Sequence, residues 1–173
     1  MGKVTYPQRV ELQDLDPRMH AELLESWLTS PHVTRCWGEQ SERLQAFLGR
    51  PADTHALIVA DGSPVGYLCW SQPDGAEVIA AGLTDLPSGL VDIDILIGDH
   101  DSLGRGIGPR ALRLLLDRIE CRADFHWAGL GTSRSNLAAI SAFEKAGFRV
   151  FRDFEDPDSG PCRYLVVELG GTA

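Results

Sequence analysis

The sequence predicts an α/β (α+β) fold: one mixed sheet with helices on both faces. Three observations predict it. The 173 residues fit one domain of roughly 100–200 residues. The early part of the chain alternates in short strands joined by a tight turn. The later part switches to strand–helix–strand–helix–strand units. We read residues 1–173 as a single domain.

The elements follow in order. Val10 to Leu12 is a short strand after Tyr6-Pro7. Asp16-Pro17 opens a helix, with Asp16 as cap and Pro17 at the first helical position, where no N–H is required. Leu24, Trp27 and Leu28 recur at helical spacing, and Ser30-Pro31 ends that helix. Ser41 to Leu48 reads as a second helix, closed by Gly49 and Pro51. Ala56–Ala60 and Val65–Ser71 pair across the Asp61-Gly62 turn. Residues 72–90, rich in Gly, Pro and Asp, read as a long connection.

Val91 to Ile97 has strand period. It predicts Val91, Ile93, Ile95 and Ile97 on the core face, and Asp92, Asp94 and Leu96 on the other. A glycine loop at residues 103–108 leads into a helix starting at Pro109 and marked by Leu112, Leu115, Leu116 and Ile119. Trp127–Gly131 is a strand, and Asn136–Ala146 is a helix capped by Gly147. Arg149–Phe154 and Arg163–Leu169 close the sheet around a turn at 156–160.

Composition narrows the function. Apolar residues make up 43% and charged residues 24%, which excludes disordered and collagen-like chains. The net charge of −9 disfavours nucleic acid and favours a cation. Asp85, Asp92, Asp94, Asp99 and Asp101 crowd one stretch. No apolar run approaches the ~20 residues of a membrane span, and no leader pattern follows Met1, so the expectation is a cytoplasmic protein without membrane attachment. Cys36, Cys69, Cys121 and Cys162 have no metal or redox spacing and read as reduced, mostly core residues; no metal site is expected.

The chemistry starts at Leu103-Gly104-Arg105-Gly106-Ile107-Gly108. Glycines allow sharp turns and close ligand approach, and a following helix N-terminus favours an anion such as a diphosphate. The loop lacks the Gly-Lys-Ser/Thr ending of a nucleotide-triphosphate loop, and its third glycine falls one position early for a dinucleotide fingerprint. With its surroundings, the loop resembles the acetyl-CoA diphosphate loop of the GNAT N-acetyltransferases. Ser135-Asn136-Leu137-Ala138-Ala139-Ile140 and Phe143-Glu144-Lys145-Ala146-Gly147-Phe148 resemble the second signature of that superfamily. Trp27-Leu28, Pro31-His32-Val33, Trp37-Gly38, Val65-Gly66-Tyr67 and Ile93-Asp94 resemble the aminoglycoside N-acetyltransferases of the 6′ type, and also siderophore-type acetyltransferases.

The resemblance implies a mostly antiparallel sheet, acetyl-CoA as cofactor, and a small cationic amino sugar as partner. It assigns the cofactor to Leu103, Gly104, Arg105, Gly106, Ile107 and Gly108, to Asn136, Ala139, Phe143 and Lys145, and to the main chain of Ile95, Leu96 and Ile97. Asp94 is the implied base that removes a proton from the incoming ammonium. Asp92, on the same face, pairs charge with it, and each carboxylate raises the other's pKa. Glu39, Asp85 and Asp92 are read as partners for ammonium groups; Trp37 is read as a ring platform or as core. Trp70 and Trp127 read as core, and His32 as structural or as a second proton acceptor.

Two residues depart from the superfamily pattern. Leu103 stands where Arg or Gln is common. Phe143 stands where a Tyr usually protonates the departing thiolate, leaving water or another donor such as Tyr164. The implied function is N-acetylation of an aminoglycoside or aminocyclitol antibiotic, at the 6′ nitrogen or at the 2′ nitrogen of a kasugamycin-like compound, conferring resistance. Siderophore precursors and protein N-termini are the alternative acceptors, and a CoA- or drug-binding module without turnover is the alternative of another class. A monomer or homodimer fits equally.

Overall fold

The computed structural model describes residues 6–37, 41–122 and 124–170. Seven strands lie in the order β1-β2-β3-β4-β5-β7-β6: β1 Val10–Gln13, β2 His55–Ala60, β3 Ser63–Ser71, β4 Leu90–Ile97, β5 Trp127–Ser133, β6 Arg149–Asp156 and β7 Gly160–Glu168. The β1–β2, β2–β3, β5–β7 and β6–β7 pairs are antiparallel, and β4–β5 is parallel. Among the described residues six α-helices accompany them: α1 Pro17–Leu28, α2 Pro31–Trp37, α3 Ser41–Leu48, α4 Gly75–Ala80, α5 Ile107–Glu120 and α6 Leu137–Ala146. The chain divides into two compact units, Met1–Cys69 with Ile95–Ala111, and Trp70–Asp94 with Leu112–Ala173.

In the first unit, α1 begins as its sequence dictates. The Asp16 carboxylate accepts the Arg18 amide at 2.9 Å and Pro17 fills the first turn. Leu24, Trp27 and Leu28 join Leu57, Tyr67, Phe47 and Leu96 in one apolar cluster. Burial of each such leucine contributes roughly 2 kcal/mol. Pro31 does more than end α1. The Ser30 carbonyl accepts from the Val33 and Thr34 amides, so Pro31 opens α2, a helix the sequence reading did not separate from the α1 stop.

The strand alternation of β4 also departs from expectation. Val91 and Ile93 are buried, but the phase then reverses: Leu96 is buried, whereas Ile95 and Ile97 are only partly so. Leu96 is drawn into the α1 cluster. Gly66 permits close approach there, since a Cβ on it would overlap the Leu96 carbonyl oxygen. The end of β4 is tied down by the Gly98 and Asp99 amides, which both donate to the Val65 carbonyl (2.9 and 3.1 Å). The Trp27 ring covers Gly98 so closely that any side chain at 98 would collide with it.

In the second unit, the connection at 72–90 contains α4, capped by Asp74 through the Ala76 and Glu77 amides at 2.8 and 3.1 Å. At six residues it is too short to show a helical period in sequence. Behind it, Leu83 and Leu90 pack with Tyr164 and Val166. The β6–β7 hairpin carries a bidentate Arg163–Asp153 pair at 2.7 and 3.1 Å, joined by Arg134 at 3.3 Å. Trp70 is buried, and Trp127 is partly buried against the Tyr164 cluster, as core packing requires. The cysteines divide evenly: Cys69 and Cys162 are buried, but Cys36 and Cys121 are exposed, against the expectation of mostly core positions. Among the described residues, no helix is long and apolar enough to cross a membrane.

Candidate active site

The glycine loop belongs to the first unit. Gly104 and Gly106 adopt φ of +71° and +68°, a region that side-chain-bearing residues rarely enter. α5 starts at Ile107, two residues before the expected Pro109, which sits in the first turn where its missing N–H costs nothing. The amides of Gly104, Gly106, Ile107 and Gly108 donate to no carbonyl among the described residues. Unmated donors at the start of a fourteen-residue helix form a cradle for an anion, so the chain fits the diphosphate of acetyl-CoA there. Arg105 is half-buried, and Leu103 is 42% exposed and offers no polar contact. Arg110 braces the cradle by donating to the carbonyls of Pro7 (2.7 Å) and Gln8 (3.0 Å).

A cavity of about 540 Å³ in the same unit is lined by Trp27, Ser30, His32, Arg35, Gly98 and His100. His32 Nε2 lies 3.0 Å from the Ile97 carbonyl, so this nitrogen carries the proton and donates it. Any proton-accepting role for His32 therefore falls to Nδ1. Trp37 is half-buried, edge-on to Phe47 at 6.1 Å and with the Arg43 guanidinium 5.3 Å from its ring. Glu39 lies outside the described residues.

The acids belong to the second unit. Asp92 and Asp94 flank buried Ile93 on β4, so both side chains share one face. Tyr164, on β7, donates its hydroxyl to Asp92 Oδ1 at 2.6 Å. Its ring lies over Gly129, where a Cβ would come within 2.6 Å of the ring edge and the hydroxyl. The glycine in β5 is what lets the phenol reach β4. Among the described residues Asp92 has no cationic partner. Burial, with Asp94 and Glu77 adding like charge, pushes Asp92 up to about 7; the Tyr164 hydrogen bond opposes this without reversing it. Burial and the Asp92 charge push the Tyr164 phenol above its ordinary range. Tyr164 is the participant that sequence reasoning did not place. Its partner lies 72 positions away, and only the glycine at 129 hints that something approaches β5.

Asp85 follows α4 and pairs with Arg152 at 3.1 Å. An ammonium bound at Asp85 competes with that guanidinium. At the start of α6, the Asn136 side chain accepts from the Ala139 amide and donates to Thr132 Oγ1, both at 3.2 Å, so it fixes the helix origin. Ala139 is partly buried and Phe143 buried, while Lys145 is exposed with its carbonyl accepting from Arg113. Phe143 packs as a core residue and brings no proton to the site.

Known proteins set this geometry in context. Residues 16–155 match the family described as "Acetyltransferase (GNAT) domain". Over 160 residues the chain is 28% identical to the aminoglycoside N(6′)-acetyltransferase type 1 of Klebsiella pneumoniae, covering 83% of this chain and 76% of that one. Its fold is similar to a structure of AAC(6′)-Ib in complex with ribostamycin and coenzyme A, with a TM-score of 0.74, 24% identity and coverage of 93% and 94%. It is also similar to an aminoglycoside N(6′)-acetyltransferase of Legionella pneumophila, with a TM-score of 0.71, 20% identity and coverage of 93% and 92%. Since the family match runs from Asp16 to Glu155, across the elements that carry both the loop and the acids, the chain belongs to the GNAT acetyltransferases.

Proposed function

We propose that the chain acetylates an amino group of an aminoglycoside or aminocyclitol, with acetyl-CoA as donor. The observation that carries the acceptor half is Asp92: a buried acid faced by Asp94, Glu77 and a phenol, with no cation of its own among the described residues. Such a site is completed by a bound ammonium. The similarity to an aminoglycoside N(6′)-acetyltransferase supports the choice of amine and favours the 6′ nitrogen over the 2′.

Acetyl-CoA supplies the activated acetyl thioester. The amides of Gly104, Gly106, Ile107 and Gly108, with Leu103 and Arg105 flanking them, hold the diphosphate. Asn136 fixes the start of α6, whose residues Ala139, Phe143 and Lys145 are assigned to the rest of the carrier. Main-chain donors at Ile95 to Ile97 are assigned to the acyl oxygen. Asp94 accepts the ammonium proton, directly or through water, so that the nitrogen lone pair becomes nucleophilic. Asp92 pairs the ammonium charge, with Trp37, Glu39 and Asp85 as further contacts to the sugar. Phe143 is buried and carries no group that could donate a proton to a departing thiolate.

The test mixes the protein with acetyl-CoA and a panel of aminoglycosides, aminocyclitols, hydroxylated diamines and peptides, following thiol release. Mass spectrometry of the product reads the acetylated nitrogen. Release with aminoglycosides supports the proposal. Release only with peptides or siderophore precursors replaces the acceptor, and cofactor binding without release from any compound replaces the enzyme with a binding module.

A further inference from the structure

Asp92 has more to do than pair a charge, and this inference rests on the acceptor reading above. Four groups define its surroundings. Asp94 stands two residues along the same face of β4, about 6.6 Å away at 3.3 Å per residue. Tyr164 reaches it from β7 at 2.6 Å, and Glu77 acts on it from α4. The Ile93 amide is its remaining hydrogen-bonding neighbour. Three of the four carry or can carry negative charge, and among the described residues no Arg, Lys or His compensates Asp92. Two carboxylates placed this way do not titrate independently; the first proton they take is shared in free-energy terms by both.

We propose that Asp92 and Asp94 act as one two-carboxylate proton acceptor for the incoming ammonium, and that Tyr164 is the residue that positions Asp92 for this task. An N–H bond of the ammonium breaks, its electron pair stays on nitrogen, and an O–H bond forms on Asp94. Asp92 lets Asp94 hold that proton more firmly than a lone surface carboxylate does. Tyr164 fixes the Asp92 carboxylate by donating its hydroxyl to Oδ1. Three features support a built arrangement: the ring is 5% exposed, Phe154 meets it edge-on at 6.3 Å, and Gly129 leaves room beneath it. A base whose hold on a proton is strengthened by a neighbouring carboxylate suits an ammonium substrate better than a lone one does.

The experiment has two arms. Carboxyl ¹³C resonances of aspartate-labelled protein are titrated in the wild type, Tyr164→Phe, Asp92→Asn and Asp94→Asn. The pH profile of kcat/KM for the amine is measured in the wild type, Tyr164→Phe and Asp92→Asn. We expect the wild type to show one carboxyl step near neutrality. In Tyr164→Phe that step and the acidic limb of kcat/KM rise by about 0.5–1 pH unit, because a hydrogen bond to the ionised form is lost. In Asp92→Asn the limb falls by more than about one unit as the like charge disappears. The KM for acetyl-CoA stays unchanged in both. Ordinary titration of both acids in the wild type, or limbs that coincide in all three proteins, overturns the proposal. A fall in activity or Tm with an unmoved limb assigns Tyr164 a packing role only, and so also overturns it. If the wild type releases no thiol with any aminoglycoside, the acceptor reading fails instead, and the carboxyl titration still decides whether the two acids form a pair.

Discussion

The loop at 103–108 and the acids on β4 suit opposite charges by different means. The loop offers main-chain amides at Gly104, Gly106, Ile107 and Gly108, held by two left-handed glycines. The acids offer side chains, tuned by Tyr164 and Glu77 from elements distant in sequence. The main-chain device needs a backbone conformation and tolerates changes in side-chain identity, so an apolar side chain at Leu103 leaves its donors in place. The side-chain device depends on a few atoms, and changing any one of them alters its protonation. Substitutions therefore separate the two regions by the kind of damage they do.

The largest expected effect is at Asp94. Asp94→Asn lowers turnover at least about a hundredfold, as for a lost general base, with the KM for acetyl-CoA unchanged; steady-state thiol release measures it. Next is Gly106→Val. A β-branched residue at φ +68° is strained by about 1–3 kcal/mol, so acetyl-CoA binding weakens roughly tenfold or more by calorimetry, while the amine's pH profile stays as in the wild type.

Gly129→Ala acts on the acids alone. Its Cβ collides with the Tyr164 ring, and stability falls by about 1–3 kcal/mol in urea, with the acidic limb of kcat/KM moving upward.

Asp92 also makes stability depend on pH. Its folded-state pKa of about 7 lies above the ordinary 3.8, so between these values the folded chain holds a proton that the unfolded chain has released. Stability therefore falls as pH rises across that window, fully so above about 7. Asp92→Asn abolishes the loss and is more stable than the wild type at pH 8 by on the order of 2 kcal/mol. The smallest effect is at Leu103. Leu103→Arg adds one exposed contact to the diphosphate and tightens acetyl-CoA binding no more than about fivefold.

The same contrast explains what the sequence revealed. The loop and the α6 signature are contiguous, with glycines and a cap at fixed offsets, so local physics suffices to find them. Asp16, Asn136 and Gly147 announce their helix ends for the same reason. Pro31 was ambiguous because proline both stops one helix and starts another, and α4 offers only six residues. The phase reversal in β4 comes from the pull of the α1 cluster on Leu96, a tertiary effect that alternation cannot anticipate. Asp92 and Asp94 were legible as acids on one strand face, but the Tyr164 contact was not, because nothing near Tyr164 in the chain points to β4.

The division of the cysteines has a practical side. Cys36 and Cys121 face solvent, so an aromatic disulfide reagent used to count released coenzyme reads about two equivalents of protein sulfhydryl before any catalysis begins. Cys162 adds nothing on that timescale, since burial, reinforced by Asp156 and Glu155, disfavours its thiolate. Masking Cys36 and Cys121 with a maleimide clears the background.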